Sequence, residues 1–162
     1  MPYAMKVDGM EELSETLSKM AEAAPAVASK ALYKGAGIMA DEIRKSAESI
    51  KTAPFSYAKD GKTRLPSPEE KAVVLAAQGE GIAKFRKNGT EVDTSVGYAK
   101  SGYAMMAKKR VPIPKIANAI NSGTSFMQKQ PFVRKAAKAG GTKAMEAMKN
   151  VIETEFEAMT NK

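Results

Sequence analysis

Histidine and cysteine are both absent from the 162 residues, which removes the commonest general base, the commonest metal ligand and all thiolate chemistry. Three short patterns have the letters of reactive or binding motifs. Ser56-Tyr57-Ala58-Lys59 has the spacing of a serine nucleophile activated by a lysine, an arrangement that needs the serine at a helix start. Here it runs into Asp60-Gly61 in a polar stretch with no companion motif, and reads as coincidence. Gly35-Ala36-Gly37-Ile38-Met39-Ala40 matches the dinucleotide fingerprint, whose glycines bring backbone against a pyrophosphate after a strand. No strand pattern precedes it, so these glycines read as points of close helix packing. Asn88-Gly89-Thr90 spells a glycosylation sequon but is better explained by a turn. The acidic residues scatter over helix faces without metal-ligand spacing. The expectation is a protein that is not an enzyme and carries no cofactor and no metal.

Binding surfaces are better represented. The formal net charge is +8, and it is unevenly placed. Residues 1–50 hold 6 basic and 8 acidic residues, whereas residues 82–115 hold 8 basic and 2 acidic, a net of +6. Such a patch attracts nucleic acid or an acidic protein surface equally at long range, and is otherwise a solvated face. Lys108, Lys109 and Arg110 are its densest run, and Met105 and Met106 beside them form an adaptable contact surface, since a thioether side chain repacks easily. Aromatics make up only 6% of the chain and are not interleaved with the basic residues, which argues against base-stacking recognition of single strands.

The elements that position these residues can be read from periodicity. At 162 residues and 43% hydrophobic content, one domain spanning 1–162 is expected. Met10, Leu13, Leu17 and Met20 recur at helical spacing over residues 9–22. Ala23-Ala24-Pro25 is expected to break that helix and start a second, running to about Ser49. Its stripe is Ala28, Leu32, Gly35, Met39, Ile43, Ser46 and Ile50, with small residues for close packing. Pro54, Asp60-Gly61 and Pro66 suggest a mobile loop over about 52–66, with Lys51, Lys59, Lys62 and Arg64 exposed. Ser67 and Glu70 have capping-box spacing for a short helix from Pro68 to about Ala77.

Asn88-Gly89 between Ile82–Arg86 and Glu91–Gly97 predicts a β-hairpin, because both residues tolerate positive φ. Residues 98–114 read as a second mobile, basic loop, and Lys115–Asn121 as a further strand. A helix then begins near Pro131, which fits a first helical position, and runs to Met159. Met145, Met148, Ile152, Phe156 and Met159 share one face of it, and Gly140-Gly141 is placed to kink or divide it. The expected class is α+β: two N-terminal helices, a small antiparallel sheet with a hairpin and long loops, and a long C-terminal helix. No stretch approaches the ~18 apolar residues of a membrane span, and residues 1–6 lack the apolar core of a signal peptide. A soluble protein made in a cytoplasm is expected.

One segment carries a family likeness. Gly123-Thr124-Ser125-Phe126-Met127-Gln128-Lys129-Gln130-Pro131-Phe132-Val133-Arg134 resembles a signature of the tail-completion, or head-to-tail joining, proteins of long-tailed bacteriophages. In that family a strand ends in Gly-Thr, and a short polar stretch precedes Gln-Pro-Phe and a small-residue helix. Val7-Asp8-Gly9-Met10-Glu11-Glu12-Leu13 and Ser95-Val96-Gly97 are similar to its opening and to a strand end. The chain departs from the pattern at Asn121-Ser122 and Lys135, and in its Gly140-Gly141 pair.

The resemblance implies a structural virion protein of the phage neck or top of the tail, made in the host cytoplasm. It implies a homo-oligomeric ring of six subunits between a head-side connector or stopper protein and a tail terminator or tail tube protein, with non-specific contact to DNA in the lumen and no membrane. Gly123, Thr124, Gln130, Pro131, Phe132 and Arg134, with Met105, Met106, Lys108, Lys109 and Arg110, are then the candidate subunit or partner interface. The competing reading is a basic protein that binds the phosphate backbone of DNA without sequence specificity.

Overall fold

Residues 10–54, 62–76, 82–89, 91–98 and 102–160 are described by the structure, a computed structural model. The class is α+β, as expected, but the N-terminal part is one helix rather than two. Helix α1 runs unbroken from Met10 to Glu48 with Pro25 inside it. A proline in a helix interior loses one hydrogen bond and costs about 3 kcal/mol. Ala21, Ala23, Ala24 and Ala26 around it are strong helix formers, and the turn that follows is held by a second helix. Val27 and Ala31 are buried, and Lys30 Nζ bonds Glu155 Oε1 at 2.9 Å.

That second helix is α4, Phe132–Thr160. The pair is antiparallel: Gly140 lies against Met39 and Glu42, Gly35 against Met148, and Lys30 against Glu155. Small residues dominate the seam, with Ala31, Gly35, Ala36, Ala136, Gly140 and Ala144 all buried. The approach is tight enough that a Cβ on Gly35 would lie 2.8 Å from the Met148 side chain, and one on Gly140 2.9 Å from Glu42 Cγ. The glycines of the fingerprint-like run therefore sit inside a helix, as their context requires. Gly140-Gly141 does not divide α4 into separate helices. The expected Met stripe is covered only in part: Met148 packs at Gly35 and Phe156 and Met159 are half-buried, whereas Met145 is 69% exposed and Ile152 also projects.

The C-terminal end of α1 carries the core. Ile43, Ala47 and Ile50 pack with Val74 of α2 (Pro68–Ala76), Ile116, Ala117 and Ile120 of α3 (Ile113–Ser122), and Met127, Phe132 and Ala136. Helix α3 replaces the strand expected over 115–121. Ile113, Ile116, Ala117 and Ile120 recur at i, i+3, i+4 and i+7, and Pro114 in its first turn suits a helix start. Helix α2 opens with the expected capping box. Glu70 N–H donates to Ser67 Oγ at 3.1 Å, and Ser67 N–H donates to Glu70 Oε2 at 2.7 Å.

Two hairpins complete the fold. Strands β1 (Arg86–Asn88) and β2 (Glu91–Asp93) pair antiparallel, extended by a bridge between Ile82 and Val96. The expected turn is displaced by one residue: Asn88 pairs with Glu91, and Gly89 supplies the positive φ, +62°. Phe85 packs edge-on against Tyr33 of α1 with ring centroids 4.3 Å apart.

The second hairpin occupies what was expected to be a mobile loop. Strands β3 (Tyr103–Met106) and β4 (Lys109–Pro112) pair in register, and Ala104, Met106 and Val111 pack on the core. The other expected loop is anchored at both ends. Ala53 N–H donates to Pro66 O, and the Arg64 backbone bridges the segment around Met127. Its centre, with Ser56 and Lys59, lies outside the described residues.

Candidate partner-binding surfaces

The Gly123–Arg134 segment is built as an internal knuckle. Gly123 ends α3 with φ +77°, its N–H bonding Ala119 O at 2.9 Å, and a Cβ there would crowd Lys129. Thr124 Oγ1 accepts from Met127 N–H at 3.0 Å, and Thr124 N–H returns a bond to Met127 O. Gln130 reaches back to the end of α1, donating from Nε2 to Lys51 O at 2.8 Å and accepting the Lys51 N–H at Oε1. Pro131 precedes α4, whose free N–H at Val133 is satisfied by Asn121 Oδ1 at 3.2 Å.

Among the described residues Phe132 is the largest fully buried side chain, 1% exposed, and it stacks edge-on to Tyr98. Ser46 Oγ donates to its carbonyl at 2.7 Å. Gly123, Thr124, Gln130 and Phe132 thus bind α3, α4 and the end of α1 to one another. Of this group only Arg134 is exposed.

A buried ion pair supports the knuckle from below. Arg64 makes a bidentate contact to Glu70, 2.7 Å on each side, with both side chains only 10% exposed. Arg64 was expected in an exposed loop; the carboxylate that caps α2 holds it inside instead. Burial pushes the Glu70 carboxyl up, but the Arg64 guanidinium, the Ser67 N–H and the Ser67 hydroxyl outweigh it and hold the group below its ordinary value of 4.5.

The β3–β4 hairpin presents the exposed candidates. Residues of one strand alternate between faces, so Ala104 and Met106 turn inward while Tyr103 and Met105 turn out, 48% and 70% exposed. Arg110, paired with Met105 across the ladder, lies 4.2 Å over the Tyr103 ring. Lys108, Lys109 and Arg110 are exposed and take part in none of the ion pairs among the described residues. The tip is strained. Ala107 and Lys108 hold φ of +47° and +66°, left-handed values that L-residues with a Cβ avoid. Tyr103, Met105 and Arg110 therefore share the outward face, whereas Lys109 stands opposite the inward Met106 and Lys108 lies in the turn at the tip.

A third surface was legible as an amphipathic helix but not as a site. Helix α4 ends at Thr160, five residues past Glu155, which comes level with about Pro25 on α1. Beyond that point Leu13 and Leu17 are 53% and 56% exposed, lining a shallow groove with Ser14, Ser18 and Ala21. They continue the stripe that α4 covers further along. Between Leu13 and Ile43 the helix spans about 45 Å, so this arm and the core that carries the β3–β4 hairpin lie at opposite ends of α1.

Among the described residues no three acidic side chains gather as a metal site, and no helix is long and apolar enough to cross a membrane. No protein-family model, curated protein or solved structure matches the chain. Among the described residues two dissimilar apolar faces stand uncovered, one on the N-terminal arm of α1 and one on a basic hairpin.

Proposed function

We propose that the protein is a structural subunit of a bacteriophage neck, a tail-completion protein that forms a ring joining the tail to the head-side connector. The observation that carries this reading is the separation of the two uncovered faces. A ring subunit needs two unlike contact surfaces, because heterologous contacts close only when a patch meets a different patch with the right rotation. Leu13 and Leu17 at one end, and Tyr103 and Met105 at the other, are such a pair. The resemblance around Gly123-Thr124 and Gln130-Pro131-Phe132 supplies the setting, and the helix-rich α+β frame is compatible with it.

In this reading the protein catalyses nothing. Its partners are itself in a six-membered ring, a connector or stopper protein on the head side, and a tail terminator or tail tube protein on the other. The lumen brings non-specific contact with DNA, and the protein resides in the virion neck after assembly in the host cytoplasm. The test is complementation: tails from a phage lacking the gene should fail to join heads until the purified protein is added. Normal joining without it would refute the proposal.

A second reading, a sequence-independent DNA-binding protein, is favoured by one feature, the exposed Lys108, Lys109 and Arg110, which form no ion pair among the described residues. Binding through phosphate neutralisation weakens steeply as salt rises. Duplex affinity that is absent near physiological salt, or indifferent to salt, removes it.

A further inference from the structure

We propose that Asn88-Gly89 is a self-modifying site, at which the chain's own backbone converts Asn88 to isoaspartate or aspartate with release of ammonia. The first step is a ring closure. The Gly89 nitrogen gives its proton to solvent base and attacks Cγ of the Asn88 side chain; the new N–Cγ bond forms as the bond to the side-chain nitrogen breaks, and that nitrogen takes up a proton and leaves as ammonia. Water then opens the five-membered imide. Attack at Cγ restores the normal chain with aspartate, whereas attack at the Asn88 backbone carbonyl leaves the chain running through Cβ and Cγ, as isoaspartate. Neither an oxidant nor a cofactor is required, and the proposal is independent of the ring-subunit reading.

The sequence and the turn both favour this position. Asn88 alone among the chain's asparagines is followed by glycine. A Cβ on the following residue would crowd the attacking nitrogen, but Gly89 has none, and nothing lies within 4 Å of where one would stand. Asn88 and Gly89 are both exposed, so base and water reach them. Because Asn88 pairs with Glu91, β1 ends at Asn88 and the Gly89 N–H falls beyond the ladder. Among the described residues no hydrogen bond takes that N–H.

The reacting atoms are already neighbours through covalent connection, which favours closure once the geometry permits it. What keeps them apart is the extended backbone of the strand, which has to rotate at Asn88. That restraint is weak. Strands β1 and β2 have three residues each, only Val92 among them is part-buried, and a two-stranded ribbon is marginal on its own. The anchors lie at the other end, in the Ile82–Val96 bridge and in Phe85 against Tyr33, so the tip opens locally while the base stays docked. Other asparagines are better held. Asn118, Asn121 and Asn150 lie within α3 and α4; Asn118 Oδ1 accepts the Ser122 hydroxyl at 3.1 Å, and Asn121 Oδ1 accepts the Val133 N–H at 3.2 Å.

The product differs from the parent where the hairpin can least absorb it. Either form sets a carboxylate opposite Glu91 in the ladder, where like charges repel. Isoaspartate also lengthens the main chain by one carbon and disturbs the register. The conversion is one-way, lowers the formal net charge of +8 by one, and loosens the tip without touching the core.

Peptide mapping by mass spectrometry reads the reaction in the full-length folded protein incubated at mildly alkaline pH, with digests at time zero as background. The tryptic peptide from Asn88 to Lys100 should gain the mass difference between a hydroxyl and an amino group, and should resolve into two products with isoaspartate in excess. In water labelled with heavy oxygen, each should carry one labelled atom. The rate should rise roughly tenfold for each unit of pH, as the deprotonated fraction of a group far below its pKa does. Asn118, Asn121 and Asn150 are internal references and should convert at least about tenfold more slowly, since helical bonding holds the N–H that follows each. Asn88→Gln lengthens the side chain by one carbon and disfavours the ring, so it should abolish the signal while melting as wild type does. Conversion at Asn88 no faster than at Asn121, or aspartate as the sole product, would overturn the proposal. So would an Asn88 that converts in the urea-unfolded chain but stays intact in the folded one, because the hairpin would then be protecting it.

Discussion

Gly140 and Gly141 are neighbours in one helix, yet replacing each with alanine should move stability in opposite directions. Both substitutions remove the entropic penalty of glycine in a helix interior, a gain of about 0.5–1 kcal/mol. At Gly141 nothing lies within 4 Å of the new Cβ, so the gain is kept in full. At Gly140 the Cβ would meet Glu42 Cγ at 2.9 Å, Met39 Sδ at 3.1 Å and Glu42 Cβ at 3.2 Å. Met39 can turn aside, but Glu42 is held by Lys143 at 3.1 Å and cannot shift without lengthening that bond. Overpacking of this kind costs roughly 1–3 kcal/mol, which exceeds the helical gain.

The net expectation is that Gly140→Ala loses about 1 kcal/mol while Gly141→Ala gains somewhat less than that. In a protein of this size each corresponds to roughly 2–4 °C of melting temperature. Urea unfolding followed by far-ultraviolet circular dichroism would resolve the difference, provided the slopes agree. If both variants shift the midpoint the same way, the close approach of α4 to α1 at this level is wrong.

Phe132→Ala should cost about 3–5 kcal/mol, read by the same unfolding assay, because it empties the centre of the core rather than a contact surface. Glu70→Ala should cost about 3 kcal/mol by leaving Arg64 buried without its carboxylate and removing the cap of α2. The Glu70 carboxyl is depressed in the folded state, so its contribution is complete above pH 4.5 and is lost as pH falls through the lower folded value. Acid titration of the melting temperature should therefore be flatter below that pH in Glu70→Gln. Ala107→Asn with Lys108→Gly should raise stability by about 1–2 kcal/mol, since the pair replaces two strained residues with ones that accept left-handed φ. A melting temperature that falls would show that the tip is not strained.

Where the signal is local, the sequence was a good guide. The Ser67–Glu70 box, the start of α4 after Pro131 and the hairpin near Asn88-Gly89 each depend on residues within a few positions of one another. The β3–β4 hairpin escaped because its turn is Ala107-Lys108, two residues with no turn preference, and its strands are only four residues long. Helix α3 escaped for a different reason: ten residues between Pro112 and Gly123 resemble a strand in length, although the Ile113, Ile116 and Ile120 spacing was there to be counted.

The break expected at Pro25 failed on long-range information. The contacts that stabilise the helix just after that residue come from α4, more than a hundred positions away in sequence. The same is true of the interface candidates. Nothing local distinguishes Phe132, which lies in the core, from Met105, which does not; the difference is made by Tyr98 and Ser46 gathering around one and, among the described residues, nothing burying the other.

Pro25 has a mechanical consequence. The hydrogen bond its nitrogen cannot donate would have gone to the carbonyl of Ala21, so one rung of α1 is missing close to the level at which α4 ends. Among the described residues, the helix on the C-terminal side is braced by α4, and residues 10–24 on the N-terminal side form a single unbraced rod. Bending stiffness therefore drops abruptly at one residue. Leu13 stands about 18 Å beyond it, so each 10° of flexure there carries the arm tip through about 3 Å. Whatever binds at that tip would ride on the flexible segment while the core stayed rigid.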